Sequence, residues 1–333
     1  MSNTPPAVTA IMPARDDAAH MTAAVSSVLS QDYPGVLDVV IGLAPSADDS
    51  AAVAATLALD PRVHVVANPA GGTAAGLNQA LEASTGTVIV RVDAHCELPP
   101  GYVARAVETM ERTRAANVGG VQAAEGEASY QRAVARAMSS VFGVGDAKFH
   151  YGGDEGPADT VYLGVFDAET LRSVGAFDES LVRNQDYELN WRLRDAGHLI
   201  FFDPELVVRY RPRSSARRLA SQYFQYGQWK REVVRRHPRS AKPRQLIAPA
   251  TVVAIVAATI GAASGHRWML AAPATYAAAV LAASAHEASS LEEAAALAGI
   301  FPTMHLTWGA GFLVGPPKSA RQVSTHTETG PLP

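Results

Sequence analysis

An uncharged stretch of 21 residues, 245–265, constrains this chain more than any other feature. A bilayer core requires about 20 apolar residues per helix, so this stretch is long enough to cross a membrane. Two further stretches, 268–285 and 294–317, also lack Asp, Glu, Lys and Arg, although the last contains Pro302 and His305. We predict a membrane region of two to three hydrophobic helices over 245–317. The third stretch could cross the bilayer, re-enter it or lie at its interface.

The segment directly before this region is strongly cationic. Residues 209–244 contain twelve Lys or Arg and one acid, Glu232, in a chain whose formal net charge is -4. Nucleic acid, anionic lipid or a phosphorylated substrate could each bind such a segment. Positive charge beside a first span is typical of a cytoplasmic flank, which favours a membrane helix over a buried helix of a soluble domain. The amino-terminal segment lacks a basic region and does not predict a signal peptide.

Residues 7 to about 205 alternate between short apolar runs and runs with helical spacing. Three strand-like runs, AVTAIMPA, LDVVIGLA and RVHVVAN, precede a fourth, GTVIVRVDA. Helical patterns separate them, as in DDAAHMTAAVSSVLSQ and AAGLNQALEAS. This alternation predicts an α/β domain with a mostly parallel sheet, whose ligand crevice lies outside the carboxyl ends of the strands.

Asp93 stands at the end of the fourth strand-like run and His95 directly after it, at such a carboxyl end. In an extended segment, residues two apart point the same way, so both side chains can reach one ion. A carboxylate with a neutral imidazole suits Mn²⁺ or Mg²⁺. On these residues alone, a carboxylate that caps the following turn is an equally good interpretation. The one cysteine, Cys96, excludes a disulfide framework.

A second acidic pair, Asp186 and Glu188, begins a run with helical spacing. Acids in a first helical turn are stabilised by the helix dipole, which explains the pair without a catalytic role. The alternative is a general base at the edge of a cleft. Further along, aromatic residues alternate with cations and glutamines in a run of residues, SQYFQYGQWKRE. Beside an apolar span, this run predicts an interfacial amphipathic helix within about 209–240.

These clusters, in this order, resemble the family-2 glycosyltransferases, and most of all the membrane-anchored bacterial enzymes of exopolysaccharide synthesis of the succinoglycan type. The likeness covers roughly residues 7–235. It rests on five motifs taken together, IMPARDD, NPAGGTAAGLNQAL, VRVDAHCELPPGYV, RNQDYELNWRLRDAG and QYGQW. It implies a GT-A type, Rossmann-like catalytic domain over 1–240, ahead of the membrane region. The tail over 318–333 is polar and rich in Thr, Ser and Pro, a composition that predicts disorder.

The resemblance also implies roles for individual residues. Asp93 and His95 would hold Mn²⁺ or Mg²⁺, and Asp186 would be the catalytic base. The donor nucleotide would lie beside Pro13, Arg15, Asp17, Asn78 and Asp93. The acceptor side would include Gln225 and Trp229, and the charges of Arg211 and Arg213 suggest contacts with a lipid-linked pyrophosphate.

Three positions depart from the family pattern. Leu43 and Ala44 stand where the second strand usually ends in acidic residues, so contacts to the nucleotide base must come from elsewhere. Gln185 stands where a glutamate commonly precedes the catalytic aspartate. Gln228 replaces the arginine of the family's Q-x-x-R-W motif.

We therefore expect an inverting, metal-dependent glycosyltransferase that moves a sugar from a nucleotide sugar to a lipid-linked or polysaccharide acceptor. A UDP-linked donor is preferred to a GDP-linked one on family precedent alone. The enzyme would sit at the bacterial inner membrane with its catalytic domain in the cytoplasm, and we expect no nucleic-acid partner. One alternative is a non-catalytic membrane protein whose degenerate transferase domain binds nucleotide or lipid phosphate. A nucleotidyltransferase ranks last, because PARDDAAH contains no glycine-rich loop.

Overall fold

The computed structural model describes residues 4–317, so the tail predicted to be disordered lies outside the described residues. The chain divides into two compact units. Within the described residues, the first comprises 4–123 together with Gly152–Tyr210, and the second comprises Ala124–Tyr151 together with 211–317. The predicted catalytic domain over 1–240 stays a prediction.

The first unit is built on one eight-stranded mixed sheet, whose strand order is β3-β2-β1-β4-β7-β5-β8-β6. β1 pairs in parallel with β2 and β4, and β2 pairs in parallel with β3, whereas β7 is antiparallel to both β4 and β5. The strands are β1 (Val8–Ala14), β2 (Leu37–Leu43), β3 (Val63–Ala67), β4 (Val88–Arg91), β5 (Asn117–Ala124), β6 (Gly156–Pro157), β7 (Tyr162–Asp167) and β8 (Ile200–Tyr210).

Helices follow the strands as the alternating pattern predicts. They are α1 (Ala18–Leu29), α2 (Ser50–Leu57), α3 (Thr73–Ala83), α4 (Tyr102–Thr113), α7 (Ala168–Ser173) and α8 (Gln185–Asp195). In α1, Met21, Val25 and Val28 are fully buried, because their spacing of three to four residues puts them on one face. The predicted parallel α/β arrangement is therefore confirmed for the first four strands.

The backbone of α3 lies in direct contact with the backbone of β2. A Cβ atom added to Gly42 on β2 would lie 2.2 Å from the carbonyl oxygen of Gly76 on α3. Only two glycines leave room for this approach, which holds α3 close to β2 at the carboxyl edge of the sheet.

The second unit is helical. Its helices are α5 (Ser129–Met138), α6 (Val141–Val144), α9 (Ala216–Arg236), α10 (Ile247–Ala263), α11 (Ala271–Glu287) and α12 (Leu291–Val314). α9 is the predicted amphipathic helix, but it begins at Ala216 rather than near residue 209. The chain is still in β8 up to Tyr210, Pro212 interrupts it, and the side chain of Ser215 caps the new helix by accepting a hydrogen bond from the Arg218 amide.

In the described part of this unit, three helical segments are long and apolar enough to cross a membrane. They are Pro243–Ala263, Arg267–Glu287 and Leu291–Val314. Large apolar side chains of the first two, such as Ile260 and Trp268, are 63% and 75% exposed. Such exposed apolar surface is compatible with lipid contact and would be costly in water.

Candidate active site

One loop follows the carboxyl end of β1 and another follows the carboxyl end of β2. Hydrogen bonds connect these two loops. The amide of Asp16 donates to the Ser46 hydroxyl at 3.1 Å, and the amide of Asp17 donates to the Ser50 hydroxyl at 2.9 Å. Asp48 in turn accepts a hydrogen bond from the amide of Ala18 at 2.9 Å. This network fixes Asp17 beside the end of β4. Pro13 lies at the end of β1, and the Arg15 side chain is exposed.

Asp93, His95 and Cys96 come together just after β4. One ligand atom from each lies within 4.8 Å of the other two. A turn produces this arrangement, since the Cys96 amide donates to the Asp93 carbonyl at 2.8 Å, whereas the sequence predicted an extended segment. The ring of His95 also lies 3.7 Å from the carboxylate of Asp17, measured from Nδ1 to Oδ1. Two carboxylates and one imidazole therefore converge.

The surroundings of this cluster favour the ionised carboxylate of Asp93 and disfavour ionisation of the Cys96 thiol. Burial opposes the ionisation of Asp93, but the charges of Arg91, His95 and Arg183 outweigh it and lower the pKa of this carboxyl. Burial, together with the charge of Asp93, raises the pKa of the Cys96 thiol to about 12. Cys96 is therefore a neutral thiol at physiological pH. The ionised donor set is oxygen-rich, which suits Mn²⁺ or Mg²⁺ better than a thiolate-preferring metal.

Arg91, the last residue of β4, links Asp93 to Asp186. Its Nη2 donates to Oδ1 of Asp93 at 3.0 Å, and its Nη1 donates to Oδ1 of Asp186. The side chain of Arg91 is only 5% exposed, while that of Asp186 is 43% exposed. The guanidinium also lies 6.0 Å from the ring centre of Phe177. Both hydrogen bonds from Arg91 to Asp93 go to Oδ1.

Asp186 sits in the first turn of α8, as predicted. Asn184 precedes the helix in the left-handed region at φ 62°, and Leu189 and Leu193 are fully buried. One turn apart in the same helix, Arg192 forms an ion pair with the buried Glu188 at 2.8 Å. This anchoring fixes the start of α8, so the exposed carboxylate of Asp186 is held on a rigid element.

Asn78, predicted to lie near the nucleotide, bonds to protein groups in the segment after α7. Its Nδ2 donates to the Phe177 carbonyl and to Glu179, each at 2.8 Å, and its Oδ1 accepts from the Phe177 amide at 3.0 Å. These bonds tie α3 to the segment that carries Phe177 beside Arg91. The nucleotide contact of Asn78 stays a prediction.

The residues predicted for the acceptor side all lie in the second unit. Trp229 is 3% exposed and belongs to the packing of that unit. Gln225 donates to the Ser221 hydroxyl at 3.3 Å, Arg211 forms an exposed ion pair with Glu127 at 3.2 Å, and Arg213 is exposed. The structure does not test the acceptor roles of these residues.

The sequence of this chain is similar to those of known proteins. A family model described as glycosyl transferase family 2 matches residues 9–168. The chain is 31% identical over 310 residues to the succinoglycan biosynthesis protein ExoA of Rhizobium meliloti (strain 1021), a match that covers 91% of this chain and 92% of that protein. The chain belongs to glycosyltransferase family 2.

Two more distant proteins are also similar to this family-2 glycosyltransferase, one in sequence and one in fold. A dolichyl N-acetyl-alpha-D-glucosaminyl phosphate 3-beta-D-2,3-diacetamido-2,3-dideoxy-beta-D-glucuronosyltransferase of Methanococcus voltae is 23% identical, over 69% of this chain and 74% of its own length. The solved structure of mannosyltransferase PcManGT from Pyrobaculum calidifontis, in complex with GDP-Man and Mn²⁺, superposes with a TM-score of 0.61 at 20% identity, over 94% of this chain and 87% of that chain. The predicted GT-A type fold is thereby confirmed.

Sequence reasoning missed Arg91 in this family-2 enzyme. The signal was an arginine that ends an otherwise apolar strand, VIVR, two residues before Asp93. Charged residues are rarely buried without a partner, so a buried-strand arginine predicts a nearby carboxylate. The sequence could not say that Asp186, far along the chain, would be the second one.

Proposed function

We propose that this glycosyltransferase moves a sugar from a nucleotide-sugar donor to a lipid-linked or polysaccharide acceptor, with inversion of the anomeric configuration. The observation that carries the proposal is the link through Arg91, which places Asp186 beside the Asp93 cluster. A donor bound at Asp93 would then have a carboxylate nearby that can accept a proton from the attacking hydroxyl.

We assign Mn²⁺ or Mg²⁺ to Asp93 and His95, with Asp17 close by. The support is the pair of side chains itself. The pKa of the Asp93 carboxyl is lowered, and a ligand atom of His95 lies within 4.8 Å of a carboxylate oxygen of Asp93. The Mn²⁺ in the PcManGT complex agrees with this assignment. A bound divalent ion would neutralise charge on the departing diphosphate.

The residues of the chain have separate tasks in this mechanism. Asp186 takes the proton of the acceptor hydroxyl as that oxygen attacks the anomeric carbon, which is general base catalysis. One displacement inverts the configuration at that carbon. Arg91 orients Asp186 and offsets its repulsion from Asp93. The nucleotide lies along the two hydrogen-bonded loops that follow β1 and β2, close to Asp17. Pro13 and Arg15 lie beside it.

The biological setting follows from the relatives. The similarity to a succinoglycan biosynthesis protein supports a role in exopolysaccharide synthesis. We prefer a UDP-linked donor, although PcManGT binds GDP-Man and Leu43 and Ala44 leave no acidic group for the base at the end of β2. The apolar helices and their cationic flank support attachment to the bacterial inner membrane with the sheet unit in the cytoplasm.

The test is release of nucleoside diphosphate from a panel of nucleotide sugars. Detergent-solubilised protein would be assayed with a bacterial lipid extract, with and without Mn²⁺ or Mg²⁺, and Asp186→Asn would be assayed in parallel. We expect release from one donor, dependent on the metal and absent in the variant. Equal release by wild type and variant would exclude Asp186 as the base. Donor binding with no release from any donor, with or without lipid extract, would favour the non-catalytic alternative.

A further inference from the structure

The third apolar helix, α12, has the length and composition of a membrane span. Its 24 residues extend about 36 Å at 1.5 Å per residue, more than the hydrocarbon core of about 30 Å. It differs from the other two candidates in one respect. A third of its apolar window, 33%, is buried inside the protein, against 11% in each of the others.

The beginning of α12 lies beside a polar segment. Glu293 in its first turn faces Arg136 of α5 at 4.0 Å, and Glu287, just before α12, accepts a hydrogen bond from Ser140 at 2.8 Å. Residues 124–151, which carry α5, leave the sheet after β5 and return to it at β6, and none of the candidate spans falls between these strands. The beginning of α12 is therefore on the sheet's side of any membrane.

The end of α12 lies beside a second polar segment, α9. Arg231 donates to the Leu313 carbonyl, and Gln228 donates to the Gly315 carbonyl at 2.8 Å. Carbonyls of a last helical turn lack partners within the helix, so these side chains cap it. α9 follows β8 directly, and the first candidate span begins only at Pro243. The end of α12 is therefore also on the sheet's side.

Between these ends the two helices touch along their backbones. A Cβ atom on Gly227 would lie 2.0 Å from the Trp308 carbonyl oxygen, and one on Gly311 would lie 2.0 Å from the Phe224 carbonyl oxygen. A membrane-spanning α12 would carry α9 into the hydrocarbon. Charged side chains are strongly unfavourable there, and α9 contains seven of them, Arg217, Arg218, Lys230, Arg231, Glu232, Arg235 and Arg236.

We propose that α12 does not cross the bilayer but lies along its surface, paired with α9, with both ends on the side of the sheet. The partner of this α9–α12 pair is the headgroup region of an anionic bilayer, which the cations of α9 complement. Within residues 4–317, only α10 and α11 are then able to cross, as a pair. The inference rests on the membrane attachment in the proposed function but not on catalysis.

Thiol labelling tests this placement. Three single variants, Leu59→Cys, Leu291→Cys and Val314→Cys, introduce cysteines at side chains that are 83%, 91% and 65% exposed. Leu59 reports the side of the sheet unit, and Leu291 and Val314 mark the two ends of α12. The native Cys96 is 2% exposed, so the wild type should remain unlabelled until it is denatured. A membrane-impermeant maleimide would be applied to sealed spheroplasts and to inverted vesicles.

We expect all three variants to be labelled in the same preparation and none in the other. Labelling of Leu291→Cys and Val314→Cys from opposite sides would overturn the proposal, because α12 would then cross. Protection of either end in both preparations would also overturn it, since that end would lie in hydrocarbon. The readout does not depend on sugar transfer, so a failed activity assay leaves this test intact.

Discussion

Arg91 donates a hydrogen bond to the carboxylate of Asp186, which lies 95 positions further along the chain. The same guanidinium bonds to Asp93, so one buried cation joins the proposed metal ligand to the proposed base. Arginine keeps its proton throughout the physiological pH range. It can therefore offset the repulsion between two carboxylates in every state of the enzyme, while its planar fork sets their relative orientation.

Replacement of Arg91 by lysine should lower kcat more than it raises the KM for the donor. Lysine retains the charge, but a single ammonium group cannot reproduce the fork that contacts both carboxylates. We expect a loss of about 10- to 100-fold, the usual effect of removing a residue that orients active-site groups. Steady-state kinetics would check this. Arg62→Lys is the matched control, since Arg62 pairs with Asp60 at the surface. Equal kcat in Arg91→Lys and wild type would rule out the orienting role.

Asp186→Asn should bind the donor normally and transfer sugar about 10²- to 10⁴-fold more slowly, the range typical of a lost general base. The substitution preserves the size of the side chain and its place in the first turn of α8. Calorimetry would measure donor affinity and a diphosphate-release assay would measure transfer. A large loss of donor affinity would instead assign Asp186 to donor binding.

Asp93→Ala should abolish the effect of Mn²⁺ or Mg²⁺ on donor affinity, because it removes the ionised carboxylate of the cluster. Donor titrations with the metal and with a chelator would show the difference. Asp60→Ala is the control, because Asp60 lies just before β3, at the opposite edge of the sheet from the site. Metal-dependent binding that survives in Asp93→Ala would place the ion elsewhere.

Gly42→Ala should destabilise the protein by about 1–3 kcal/mol, the usual effect of overpacking. The new methyl group would meet the Gly76 carbonyl oxygen at 2.2 Å and push α3 away from β2. Gly72→Ala is the control, since a Cβ atom there has no neighbour within 4 Å and its φ of -80° suits alanine. Thermal unfolding of both variants in the same detergent would compare them, and equal midpoints would contradict the close contact.

Glu232→Gln should destabilise the second unit near neutral pH and lose its effect in acid. Hydrogen bonds from Arg235 and Arg236 lower the pKa of Glu232 from 4.5 to about 2. A depressed carboxyl pKa stabilises the folded state above the unfolded value of 4.5, and this contribution disappears as the pH falls toward about 2. We expect a difference of about 1–3 kcal/mol at neutral pH. Unfolding of wild type and variant would be measured across this pH range. Equal stability at neutral pH, or a difference that does not shrink as the pH falls, would contradict the pairing.

Much of the fold was predictable because its signals are local. The apolar runs and helical spacings between β1 and α4 identify strands and helices, and a parallel sheet then places Asp93 at the carboxyl edge. Asp186 was located at a helix start for the same reason. The start of α9 was predicted too early, because a basic segment is compatible with both a strand and a helix. Pro212 and the cap at Ser215 mark where the helix can begin.

By itself the sequence determined the α/β class, the family, the apolar helices and the residue types available for a metal and a base. These follow from periodicity, composition and short motifs, which depend on residues near each other in the chain. Only the tertiary structure decided that Arg91 joins Asp93 to Asp186, that Asn78 bonds to Phe177, and that α12 packs on α9. Each of these is a contact between segments that are distant in the chain. The hydropathy and residue spacing within one segment do not specify which other segment will pack against it.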